Sequence, residues 1–150
     1  MMLLRACLCL ILSASMANAL SCSPPTPEGA YAAAEESEQQ FYVVDGRFEG
    51  TEQTDSKRFE ARFLGKRLAT TGFNVPFDEI VTVNIHCFDA WCGGVTLDAR
   101  QVLFLRKQGS ELVFDAEPCP FWSFLEIDKG AREKIEQCQR AGGCDNASDR

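Results

Sequence analysis

Cys87-Phe-Asp-Ala-Trp91-Cys92-Gly-Gly94 is followed by Val102-Leu-Phe-Leu-Arg106, Gln108-Gly109-Ser110, Leu112-Val-Phe114 and Cys119-Pro-Phe-Trp122. Two short apolar runs separated by a glycine-containing turn and ending in a cysteine spell a covalently pinned β-hairpin. Immediately upstream, Ile80 to Cys87 alternates without a break: Val81, Val83, Ile85 and Cys87 point one way, and Thr82, Asn84 and His86 the other. That strand puts the chain's only histidine on its polar face.

Working outward, Arg58 to Leu64 alternates in the same manner, with Phe59, Ala61 and Phe63 on one face. Thr70 to Pro76 reads as a loop, because Pro76 removes a ladder donor and Gly72 permits a turn. Phe41 to Phe48 reads as a further strand, with Gly46 at a bulge or bend, and the polar stretch from Glu49 to Lys57 as a turn. Thr26 with Pro27 and Glu28 is a helix start, and Gly29 to Gln40, rich in Ala and Glu, is the predicted helix. At the far end Ser123-Phe-Leu-Glu126 has the form of a capping box. Ile127, Ala131, Ile135 and Cys138 recur at helical spacing up to Gly142-Gly143. About five short strands with one helix near each end predict a mainly β fold: a five-stranded OB-type barrel with an N-terminal and a C-terminal helix, stapled by disulfides.

Residues 1–19 read as a signal peptide, with Arg5, the apolar run from Ala6 to Leu12 and the small-residue ending Ala17-Asn18-Ala19. Cleavage after Ala19 makes 20–150 a single domain in which 144–150 reads as a disordered tail; a lipoprotein cut before Cys22 is the alternative. Lys+Arg then falls from 15 to 14 against 22 Asp+Glu, a formal charge of −8, which argues against nucleic acid and anionic membranes as partners. The apolar run is too short for a stable membrane span. Six cysteines remain, Cys22, Cys87, Cys92, Cys119, Cys138 and Cys144. An even count in a secreted or periplasmic chain points to three disulfides, with about 15 pairings open.

Candidate chemistry is thin. His86 beside Cys87 has the residue types of a nucleophilic pair, but neighbours in a strand face opposite sides and a half-cystine cannot attack. His86, Cys87, Cys92 and Cys119 form a conceivable zinc set, against which stands the preference of exported cysteines for disulfides. Asp115 and Glu117 could be an acid pair, and read more simply as a solvated strand end. No phosphate loop or hydrolase motif is present, so no catalytic residue, metal or cofactor is expected. Asn146-Ala-Ser148 is a formal glycosylation acceptor. Phe73, Phe77, Phe88, Trp91, Phe121 and Trp122 fall near strand ends and loops; Trp122 suits a barrel plug, whereas Phe73 and Trp91 are candidates for contact with a partner.

Cys22-Ser-Pro-Pro-Thr-Pro27, then Ala30-Tyr31 and Ala34-Glu35, resembles the opening of the netrin-like module of tissue inhibitors of metalloproteinases. Trp91-Cys92-Gly93, the hairpin around Leu103-Phe-Leu105, and Cys119-Pro-Phe-Trp122 are similar to that module's Cys-Gly turn, central hairpin and closing cysteine. The resemblance implies a Cys22–Cys119 disulfide. It leaves Cys87 as the nearest partner for Cys92, and Cys138 with Cys144. It also implies binding through Leu20, Ser21 and Cys22, because in that family the amino group and carbonyl of the first residue bind the zinc of a target protease. This chain departs from the pattern: Leu20 replaces the family's first cysteine and Ala32 a cysteine in the first helix, so the amine of Leu20 lacks the disulfide that would hold it.

The expected function is therefore an exported, non-enzymatic protein-interaction module, with metalloprotease-inhibitor character at its N-terminal edge and a zinc metalloprotease as the implied partner. The competing expectation is a small exported metal-binding protein or enzyme built on His86 and the cysteines.

Overall fold

The computed structural model describes residues 22, 23, 25–50 and 56–144. The proposed leader with Leu20 and Ser21, most of the proposed tail and the Asn146 acceptor lie outside these residues. Five long strands carry the fold: β1 (Phe41–Phe48), β2 (Arg58–Ala69), β3 (Gly72–Ile85), β6 (Gln101–Gln108) and β7 (Glu111–Ala116). Between β3 and β6 lies a small ribbon of β4 (Cys87–Phe88) and β5 (Trp91–Cys92), and β8 (Ser123–Leu125) follows β7. Helix α1 (Pro27–Glu36) precedes the barrel and α2 (Lys129–Ala141) closes the described chain.

The strands run β1-β2-β3-β7-β6, and β6 pairs back onto β1, as in Val44 opposite Leu103. Among the paired strands described, only β3 and β7 run parallel, with Val83 opposite Phe114. This is a closed five-stranded barrel of the OB type, with a helix near each end. Its interior is filled by alternate residues of every strand, among them Val44, Phe48, Phe63, Val81, Val83, Leu103, Leu105 and Phe114. Each large apolar side chain buried in this way contributes about 1.5–3 kcal/mol.

A second core lies outside the barrel wall. Val43, Leu68, Phe73, Val102 and Phe104 face outward and are covered by Ala30 and Tyr31 of α1 and by Ile135 and Cys138 of α2. Hence β6 is buried on both faces from Gln101 to Leu105, which is why its sequence is a continuous apolar run rather than an alternation. Trp122 stacks on Phe41, with ring centroids 4.8 Å apart, and touches Phe104, so it plugs this outer layer.

Disulfides join Cys22 to Cys119, Cys87 to Cys92 and Cys138 to Cys144, the three pairs that the resemblance implies. Cys144, placed in a disordered tail by the sequence, is thus tied to α2. Three disulfides indicate an oxidising compartment. No described helix is long and apolar enough to cross a membrane.

Several boundaries differ from expectation. The segment from Thr70 to Pro76 is not a loop: the turn is confined to Thr70 and Thr71, and β3 starts at Gly72 with φ +105°. Pro76 is tolerated because β7 joins β3 only from Thr82 to Ile85, leaving Pro76 with a neighbour on one side alone. Helix α1 ends at Glu36 rather than Gln40; Ser37 is extended and its hydroxyl accepts the Gln39 N–H as the chain turns into β1. The capping-box reading of Ser123 to Glu126 fails, since Ser123, Phe124 and Leu125 pair with β6 and Phe124 packs on the outer core. Asp128 is the true cap, accepting the Ala131 N–H at 2.9 Å. Gly46 is not at a bulge but opposite Gly65 in unbroken register, and the irregularity lies at Arg67/Leu68. The two backbones approach so closely there that a Cβ on Gly46 would lie 2.0 Å from the Leu64 carbonyl oxygen.

Candidate functional site

The ribbon of β4 and β5 carries the two most exposed large apolar side chains among the described residues. Cys87 and Cys92 are register partners joined by their disulfide, and Phe88 faces Trp91 one step further out. The turn between them uses Asp89 at φ 52°, a conformation that aspartate adopts more readily than most residues. Register partners stand on the same side of a ribbon, so the two rings form one patch, 67% exposed at Phe88 and 62% at Trp91. Two large aromatic side chains left in water at the tip of a covalently closed ribbon can meet a partner with little ordering of the backbone that carries them.

The ribbon is fixed to the barrel end. His86 N–H donates to the Ala116 carbonyl at 2.9 Å, and Gly93 N–H donates to the His86 carbonyl at 2.8 Å. A Cβ on Gly93 would lie 2.0 Å from the Ala116 oxygen, so only glycine allows this approach. From Ala116 the chain runs directly to Cys119, which holds Cys22. A cavity of about 280 Å³ is shared by Cys92 and Gly93 of the ribbon, Glu117, Pro118 and Pro120 of this connector, and the exposed Leu125. The connector therefore brings the N-terminal cysteine and the aromatic ribbon to one end of the molecule.

Beside it lies a polar cluster on Asp115. Arg106 donates through Nε and Nη2 to one carboxylate oxygen at 3.0 and 2.8 Å, while Asn84 Nδ2 and His86 Nε2 meet the other at 3.0 and 3.1 Å. Burial alone would raise the Asp115 carboxyl, but hydrogen bonds from Asn84, Arg106 and His86 outweigh it and hold the group below the usual aspartate range. Asp115 is thus neither half of an acid pair nor a solvated strand end, because its lone pairs are already occupied.

Of the sequence candidates, Cys22 is exposed and bonded to Cys119, and Trp91 is at the exposed tip. Leu20 and Ser21 lie outside the described residues. Phe73 is a correction: it is buried in the outer core beneath the Arg132 guanidinium, 5.5 Å from its ring centroid, and is not available to a partner. Phe77 is likewise buried inside the barrel. The conceivable zinc set is dispersed into other bonds, since Cys87, Cys92 and Cys119 are half-cystines and His86 meets Asp115. Among the described residues no group of three or more His, Cys, Asp or Glu is placed to hold a metal.

Sequence reasoning named Phe88 only among several aromatics, and the register that pairs it with Trp91 is what sets it apart. It passed over Asp45, whose carboxylate is buried on the outer wall and receives Arg100 through Nε and Nη2 at 3.0 and 2.9 Å, and also Arg132. The available signal was an acid in the middle of the apolar strand Phe41 to Phe48. Comparison of the chain with family models, curated proteins and solved structures finds no match.

Proposed function

We propose that the protein is an exported, non-enzymatic interaction module similar to the netrin-like domain of tissue inhibitors of metalloproteinases. Its partner meets the end that carries Cys22 and the Phe88/Trp91 ribbon. The observation that supports this reading is the short connector from Ala116 to Cys119, which ties the N-terminal segment and the exposed aromatic pair to the same edge. A rigid edge with two aromatic anchors is the arrangement that concentrates binding energy in a few side chains. Leader removal after Ala19 would leave Leu20, two residues before Cys22, with a free amine of the kind that can bind a protease zinc ion.

That amine binds a metal only when unprotonated, and an unperturbed α-amino group has a pKa of about 8, so inhibition at neutral pH is expected to be weak. The test compares a chain starting at Leu20 with one extended by a single alanine against a panel of zinc proteases. Inhibition by the first alone supports chelation through the amine; equal inhibition by both excludes it. Absence of inhibition in both overturns the protease-inhibitor form and leaves an interaction module whose partner contacts the aromatic ribbon.

A further inference from the structure

On the outer barrel wall, a cavity of about 420 Å³ is lined by Arg47, Lys66, Arg100 and Arg132 with Asp45 and Phe73. Four cations and one carboxylate are an unusual grouping in a chain whose formal charge is −7. We propose that this cavity binds a tetrahedral oxyanion carrying two negative charges, either a free phosphate-like anion or the phosphoryl group of a larger molecule.

The charges around Asp45 are unbalanced. Arg100 and Arg132 both turn to this one carboxylate, whose side chain is 4% exposed. Lys66 is the register partner of Asp45, yet neither it nor Arg47 forms an ion pair among the described residues. Glu126 lines the small recess on the other side of the Asp45 cluster and reduces the local surplus from three positive charges to two. Glu136 is engaged elsewhere, with the Phe73 N–H and Arg140. A dianion would neutralise what remains.

Donors are also left over. Arg100 uses Nε and Nη2 on Asp45 and Arg132 uses Nη2, so each guanidinium keeps further N–H groups of its five. Asp45 and Phe73 hold those guanidiniums in place, which reduces the ordering needed when an anion arrives. Gly46 and Gly65 also line the cavity, and the close contact of their strands forbids a side chain on either, so this part of the wall is bare backbone. Arg47 and Lys66 are exposed and complete the lining of the cavity.

The test follows the amide resonances of Gly46 and Gly65 in labelled protein at low ionic strength. Inorganic phosphate, glucose 6-phosphate and uncharged glucose are titrated separately. The expected result is a saturable one-to-one shift with at least one of the two phosphates and none with glucose. A response to inorganic phosphate alone assigns the site to the free anion, and one to glucose 6-phosphate assigns it to phosphoryl groups. Arg47→Ala combined with Lys66→Ala should weaken binding on the order of tenfold or more with the rest of the spectrum unchanged. Arg58→Ala, a cation paired with Glu111 elsewhere on the surface, should leave it intact. No saturable shift with either phosphate, or equal affinity in the Arg47/Lys66 double variant, overturns the proposal.

Discussion

Gly93 touches the carbonyl of Ala116 so closely that no β-carbon fits between them, and this contact sets the position of the aromatic ribbon. Gly93→Ala must push the ribbon off the barrel end or bend β7, a form of overpacking that costs about 1–3 kcal/mol. Denaturant melts should show that loss, and partner binding should fall further than stability alone accounts for.

Phe88→Ser and Trp91→Ser should behave in the opposite way. Both rings are in solvent, so folding stability should stay within about 0.5 kcal/mol of the parent. Binding to a partner at this edge should weaken by about 2 kcal/mol or more for at least one of them. Thermal melts measured beside a binding titration separate the two effects.

Asp45→Asn leaves two guanidiniums on the barrel wall without their shared counter-charge. Hydrogen bonds to charged groups contribute roughly 1.5–3 kcal/mol each, and Arg100 is well exposed, so a net loss of about 2 kcal/mol is expected. Chemical denaturation of the variant checks this, and restoring Asp at 45 is the control.

Asp115 gives the fold a defined acid sensitivity. Its folded carboxyl titrates below the unfolded value, so the unfolded chain binds more protons over the intervening range and stability rises with pH there. The contribution is fully present above the unfolded value of about 4 and is lost as pH falls through the lower folded value. Unfolding free energies measured from pH 6 down to pH 2 should show this slope, and Asp115→Asn should flatten it while lowering stability at pH 6.

The disulfides should contribute unequally. Cys22–Cys119 closes a loop with a sequence separation of 97 and Cys87–Cys92 one of 5. In the chain-entropy view the first is worth about 4–5 kcal/mol and the second about 2 kcal/mol. Serine pairs at each bridge, compared by denaturant melts, check the order, and peptide mapping without reduction checks the connectivity.

The barrel was legible because alternation in Ile80 to Cys87 and Arg58 to Leu64 reports directly which face is inside. The buried run Val102 to Leu105 could be placed as a strand but not given its two cores, since a segment covered on both sides loses its period. Ser123 to Glu126 misled because capping chemistry is local, whereas the strand edge of β6 that captures these residues is not. Trp91 stood out and Phe73 did not sort itself from it: both are aromatics near turns, and only the position of α2 decides that one is covered. The cation cavity needed four residues from three separate elements and a linking segment, so no window of sequence could reveal it.

Closure of the wall by β6 against β1 has a consequence for how the chain is made. Phe41 to Phe48 leaves the ribosome early, yet its second neighbour, Gln101 to Arg106, follows more than fifty residues later. Until then the first strand presents one unpaired edge beside a largely apolar face, the kind of surface that invites association between incomplete chains. Assembly of the sheet is therefore a late event with high contact order, and maturation should be slower than for a helical protein of this length. Cys22, which precedes every strand of the barrel, is joined to a residue that arrives later still, so its oxidation reports completion of the whole wall.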